Sequence, residues 1–154
     1  MIPKEVIDVT NSQYFAYLGS RDEQLAPTVR MTWGVDFAAD EDIATSFVIQ
    51  AQYEQMLNNF QQNGRIALSY SDLSTHVAYQ LKGHFLQARP LTEEEVALQQ
   101  QYRREIINFL TEFAGYPEER LNVVAHLADL AIDLKVEKIF NQTPGPGAGK
   151  EITF

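Results

Sequence analysis

The stretch Val77-Ala78-Tyr79-Gln80-Leu81-Lys82-Gly83-His84-Phe85 decides how this chain is read. Val77, Tyr79, Leu81 and Phe85 project to one side, and Ala78, Gln80, Lys82 and His84 to the other. That is the period-two signature of a strand with one buried face and one face offered to solvent or a ligand. The strand runs on toward Arg89, where Pro90 ends it. A mainly β protein follows if the neighbouring segments read the same way, and most of them do.

Upstream, Arg65 to Tyr70 reads as a strand and Ser71-Asp72-Leu73-Ser74 as the turn after it. Gln13 to Leu18 is a short aromatic strand ending in the turn-like Gly19-Ser20-Arg21-Asp22. After Pro27, Val29, Met31, Trp33 and Val35 alternate with Thr28, Arg30, Thr32 and Gly34, which predicts one continuous strand. Asp36 to Asp42 then reads as an acidic turn, and Thr45 to Ile49 as a buried strand. Tyr53, Met56, Leu57 and Phe60 fall at helical spacing, predicting a helix from Ala51 to Gln62 stopped by Asn63-Gly64.

Thr92 followed by Glu93, Glu94 and Glu95 is a capping-box pattern and predicts a long helix up to Gly115. Its apolar face is read as Val96, Tyr102, Ile106, Phe109, Leu110 and Phe113. A shorter helix is expected from Tyr116 through Leu121 and Val124. Ile132, Leu134 and Val136 then alternate with Asp133, Lys135 and Glu137 in a last strand. The tail from Asn141 to Lys150 holds prolines without donors and glycines with a high ordering cost, so it reads as a frayed end or an extended arm.

Composition bounds the function. With 154 residues, 45% hydrophobic and 11% aromatic, the chain suits one core, here residues 1–140, with 141–154 as the C-terminal arm. It contains no cysteine, which excludes disulfides, thiolate metal sites and thiol catalysis. A net charge of -9 opposes binding to nucleic acid or an anionic membrane. No segment approaches the roughly 20 apolar residues of a membrane span, and the N-terminus lacks the apolar run of a signal peptide. A cytoplasmic location is the expectation.

Some site readings fail on spacing. Gly149-Lys150 is not a phosphate loop, because Pro144 stands where that motif needs Gly and Glu151 where it needs Ser or Thr. His76 and His84 sit roughly 26 Å apart in an extended strand and cannot share a metal within one chain, so no metal site is expected. Glu93-Glu94-Glu95 is read as a helix cap. Arg30, Gln80 and Lys82 keep two readings: a solvated strand face, or, if their strands are neighbours, a cationic patch beside apolar walls suited to a phosphate and a flat ring.

The strand Pro27-Thr28-Val29-Arg30-Met31-Thr32, the segment Asn63-Gly64-Arg65-Ile66-Ala67-Leu68 and the strand Tyr79-Gln80-Leu81-Lys82-Gly83 resemble, in that order, the FMN-binding split-barrel proteins related to pyridoxamine 5'-phosphate oxidase. The closing Phe140 to Gly149 is similar to a Pro/Gly tail in an uncharacterised branch of that family. The resemblance implies a Greek-key split β-barrel with flanking helices, a homodimer, and FMN at the subunit interface. It places Arg30, with Met31 and Thr32, at the phosphate and points to Val48, Ile49 and Gln50 along the isoalloxazine ring. Gln80 and Lys82 join these as cofactor-binding candidates on the face reading alone.

The chain departs from the family where Gln55 and Met56 replace an adjacent Arg-Lys pair, and where the Pro/Gly tail replaces an Arg-rich substrate segment. An FMN-dependent oxidoreductase other than a true pyridoxamine phosphate oxidase is therefore the expectation, with no catalytic side chain assigned. The alternative is a noncatalytic dimeric module for another planar ligand, heme or a deazaflavin, or for a protein partner.

Overall fold

The computed structural model describes residues 1–117, 119–121 and 127–154. Its strands are β1 (Tyr14–Arg21), β2 (Pro27–Met31), β3 (Val35–Ala38), β4 (Ile43–Val48), β5 (Arg65–Asp72), β6 (Ala78–Arg89), β7 (Leu130–Asn141) and β8 (Glu151–Ile152). They form one antiparallel sheet in the order β2-β1-β5-β6-β7-β4-β3, with β8 laid against the far half of β7. Helices α1 (Lys4–Asp8), α2 (Glu54–Asn63) and α3 (Glu93–Glu112) flank it.

The anticipated strand from Thr28 to Val35 is in fact broken, and the break closes the barrel. Thr32 donates its amide to the Ala16 carbonyl on β1 (2.9 Å), while Trp33 donates to the Phe47 carbonyl on β4 (2.7 Å). Phe47 returns a bond to the Gly34 carbonyl (3.0 Å), so residues 32–34 hand the chain from β1 to β4. Gly34 is needed there: its φ is 131°, and a Cβ would lie 2.8 Å from the Phe47 ring. β2 and β3 therefore stand at opposite ends of the sheet path. The expected turn at Asp36 is also corrected, because Val35 to Ala38 completes a ladder with β4 and only Ala39–Glu41 turns. β1 likewise runs past Gly19 to Arg21, since Gly19 and Ser20 pair with Val29 and Thr28.

The core follows the alternation. Leu18, Leu68, Leu81 and Ile139 are matched side by side across β1, β5, β6 and β7, and all four are fully buried. Each such side chain contributes about 1.5–3 kcal/mol. From α2, Met56 and Phe60 enter the same core behind the N-cap residue Tyr53, as their spacing predicts, and Gly64 ends the helix in the left-handed region. At Gly83 the β6 and β7 backbones come so close that a Cβ would fall 1.9 Å from the Lys135 carbonyl oxygen. The ladder shifts register between Lys82 and Gly83 at this point.

The α3 capping box forms as predicted, but its buried face is different. Glu95, Gln99, Tyr102 and Ile106 face inward, while Val96 is partly exposed and Phe113 largely so. The reason is Arg89. Its guanidinium meets both Glu95 oxygens (2.8 and 2.7 Å) and both Asp133 oxygens (2.9 and 3.1 Å). Asp133 also accepts from Thr45 (2.8 Å) and Gln87 (2.9 Å). The Arg89 hydrogen bond, helped by the Thr92 amide, holds the Glu95 carboxyl below its ordinary value.

The tail turns back on itself. Gly149 donates to the Asn141 carbonyl (2.7 Å) and Asn141 to the Lys150 carbonyl (2.9 Å), which delivers β8 to β7. The helix anticipated from Tyr116 to Val124 falls partly outside the described residues.

Two stability predictions follow from this packing. Arg89→Met strands two buried carboxylates and should cost about 3–5 kcal/mol in urea denaturation near neutral pH. Because Glu95 titrates below its unfolded value of 4.5, its contribution is present above that pH and is lost as pH falls through the lowered native value. The difference between Arg89→Met and the parent should therefore shrink in acid. Gly83→Ala should cost about 1–3 kcal/mol or more by overpacking β6 against β7, read from the same denaturation curves.

Candidate functional site

The ladder register settles which candidate residues share a face. Lys82 is matched to Ala67, Ala67 to Gly19, and Gly19 to Val29. Paired residues point the same way across a sheet, so Lys82 belongs to the outward row of Val29. Arg30 is matched to Leu18, hence to Leu68 and Leu81, and lies on the inward side at the exposed β2 edge. Arg30 and Lys82 therefore occupy opposite faces, and the single cationic patch considered from sequence does not form. Met31 and Gln80 fall in the outward row of Tyr17 and Ser69, one register step from Lys82.

The outward residues are lightly committed. Gln80 donates to the Ser69 hydroxyl (3.1 Å), and the Lys82 ammonium rests 4.9 Å from the Phe140 ring centroid, a cation–π distance. His84 pairs with Glu137 (3.1 Å), which Arg65 also approaches (3.5 Å). His76 lies in the turn after β5 with a φ of 61°. Burial raises the neighbouring Asp72 carboxyl, but hydrogen bonds from Ser12, Thr75 and Ser74 outweigh it and hold the group well below the usual carboxylate range. Among the described residues no cluster of His, Asp and Glu has metal-holding geometry.

On the inward side, Arg30 gains a defined setting. The Tyr53 hydroxyl donates to the Met31 carbonyl (2.7 Å) and reaches the Arg30 carbonyl (3.3 Å). Tyr53 is the N-cap residue of α2 and offers that helix no side-chain cap. The Tyr53 side chain thereby links the start of α2 to the end of β2. Burial raises the Tyr53 hydroxyl well above its ordinary value, and the nearby Arg30 charge opposes that rise. Of the positions expected to carry a family cation, Gln55 is exposed and Met56 is fully buried, so Met56 is a core residue of α2.

Thr32 is buried with its amide committed to β1. Val48 is buried at the end of β4, Ile49 is half-buried, and Gln50 is exposed with its amide bonded to Asp129 (2.7 Å). Sequence reasoning missed Tyr53 as the tie between β2 and α2, and it left Arg21 and Arg65 unassigned. Strand parity held a signal for both arginines. Arg21 shares the parity of Tyr17 and Gly19, and Arg65 that of Ala67 and Ser69.

The sequence matches no protein-family model and no curated protein. Solved structures do match. HupZ from Group A Streptococcus shares 19% identity at a TM-score of 0.58, covering 97% of this chain and 100% of that one. A putative pyridoxamine 5'-phosphate oxidase from Lactobacillus delbrueckii shares 14% at 0.55, over 90% and 93%. An FMN-binding protein from Syntrophomonas wolfei shares 9% at 0.53, over 90% and 82%. The architecture is thus a split β-barrel of the class seen in FMN-binding and pyridoxamine 5'-phosphate oxidase-related structures.

Tyr53→Phe should cost about 1–2 kcal/mol by stranding the Arg30 and Met31 carbonyls. Hydrogen exchange should quicken along β2 and at the start of α2 and stay unchanged in β7.

Proposed function

We propose that the protein binds FMN as a homodimer of split barrels, with the phosphate at the junction of Arg30 and the open first turn of α2. The observation that carries this reading is the Tyr53 tie. It holds the Arg30 and Met31 backbone to the residue that starts α2, and a β2 cation acting with uncapped helix amides would suit an anion. The cation supply is sparse, because Glu54 adds a carboxylate to the same helix turn and Met56 is turned into the core. Arg30 then carries most of the charge-assisted binding. Val48, Ile49 and Gln50 would line the ring, whose hydride and electron transfer the cofactor itself supplies when bound.

Met31, Thr32, Gln80 and Lys82 take different parts in this reading. Thr32 acts through its backbone, holding the β2 end in place. Met31, Gln80 and Lys82 face outward, where a second subunit would bring them toward its partner's cofactor. The single-cation cradle also supports a second reading: a noncatalytic module for another planar ligand, heme or a deazaflavin. Pyridoxamine phosphate oxidation is not proposed, since a Pro/Gly tail that folds back onto β7 replaces the oxidase's Arg-rich segment.

Titration of the purified protein with FMN tests the proposal through quenching of flavin fluorescence. Saturable quenching is expected, and Arg30→Ala should weaken it by about 1–3 kcal/mol. Absence of quenching removes FMN. Quenching that is unchanged in Arg30→Ala removes the phosphate assignment.

A further inference from the structure

A cleft of about 180 Å³ lies where α3 crosses the passage from β1 to β4. Its inner end is formed by the buried residues Gly34, Val35 and Phe47, and Tyr14 and Tyr102 stand beside them with ring centroids 4.9 Å apart. The entrance is polar. Thr10 and Asn11 come from the 3-10 turn that follows α1, and Gln101 and Glu105 from α3. Tyr14 shares the inward parity of Ala16 and Leu18, opposite to the outward row of Tyr17, and Phe47 projects away from its neighbour Val48 on β4. The cleft is therefore built from other residues than the cofactor reading and the outward sheet face.

Hydrogen bonding decides what the entrance can recognise. The Thr10 hydroxyl donates to the Ile7 carbonyl (2.8 Å), the Asn11 side-chain amide to Asp8 (3.3 Å), and the Gln101 side-chain amide to Glu105 (2.9 Å). Further in, the Tyr14 hydroxyl accepts from the Val35 amide (2.9 Å). With those donors committed, the side chains retain mainly acceptors: a hydroxyl oxygen, two amide carbonyl oxygens and a carboxylate.

Charge agrees with this. The lining holds one carboxylate, Glu105, and no Lys, Arg or His. Burial is the main reason the Tyr14 hydroxyl titrates well above its ordinary value; the Val35 amide opposes the rise, and the charges of Glu105 and Asp36 add to it. The net charge of -9 has the same sign. Acceptors grouped around a carboxylate and backed by aromatic side chains suit a protonated amine, which brings a positive charge and three N–H donors.

We propose that this cleft binds a small primary amine in its protonated form. The ammonium sits among Glu105, Gln101 and Asn11, and a short hydrocarbon body lies against Leu98 and the inner aromatic residues. An anion finds no cation there. Amine binding needs no cofactor, so it and FMN binding can fail independently.

The test is calorimetric titration of the full chain with benzylamine near neutral pH, where the amine is protonated. One saturable site per chain is expected, weakened by about tenfold or more in Glu105→Gln and severalfold in Gln101→Leu. Benzyltrimethylammonium, which keeps the charge and the ring but has no N–H donor, should bind about tenfold more weakly than benzylamine. Gln101→Leu alters an exposed side chain and carries the test if Glu105→Gln fails to fold. The proposal is overturned if benzylamine shows no saturable site, or if either variant binds it like the parent. It is also overturned if benzyltrimethylammonium or benzyl alcohol binds as well as benzylamine, or if benzoate displaces it.

Discussion

The Arg89 guanidinium, gripped between Glu95 and Asp133, is the constraint on which the rest of the barrel depends. It ties the end of β6 to the middle of β7 and to the first turn of α3. Through Asp133 and Thr45 it also reaches β4. Ion pairs taken from water regain little net energy, so its value lies in geometry. With Glu95 held inward, α3 lays Tyr102 against Tyr14 at a ring separation of 4.9 Å and covers the segment where the chain passes from β1 to β4. A hydrophobic residue at position 95 would pack, but it would not fix the rotation of the helix.

That closure decides what the two faces of the sheet can do. Residues 32–34 leave β2 as an edge strand, and the Tyr53 hydroxyl ties its Arg30 and Met31 carbonyls to the start of α2. The outward side of the same strand contributes Val29 to a row with Gly19, Ala67 and Lys82. One short strand thus presents adjacent residues to unrelated surroundings. An acidic chain can hold anions only through such local arrangements, and here the cations are divided between the two sides.

Local signals were legible in the sequence. The Tyr79, Leu81 and Gln80, Lys82 alternation, the Tyr53 to Phe60 stripe and the Thr92–Glu95 box each arise within one element and needed no partner to be read. The break at Gly34 was hidden because alternation continued through it, and only the Phe47 ring and the β4 ladder reveal it. The inward turn of Glu95 and Gln99 was hidden for a similar reason, since the cation that holds Glu95 belongs to β6. Arg30 and Lys82 both sit at polar positions of alternating strands. Which face each takes depends on register across two intervening strands, and no single strand carries that information.

The returning tail also has a consequence for how these molecules meet one another. Beyond the reach of β4, the far half of β7 would present unpaired backbone groups, an invitation to strand addition from another chain. β8 occupies that edge at Ile139 and Phe140, and being only two residues long it offers little edge of its own. Pro144 and Pro146, in the connection that returns it, have no amide to donate to a neighbouring chain. The segment that looked like an unstructured appendage covers this part of the β7 edge, so strand addition by another chain is blocked there.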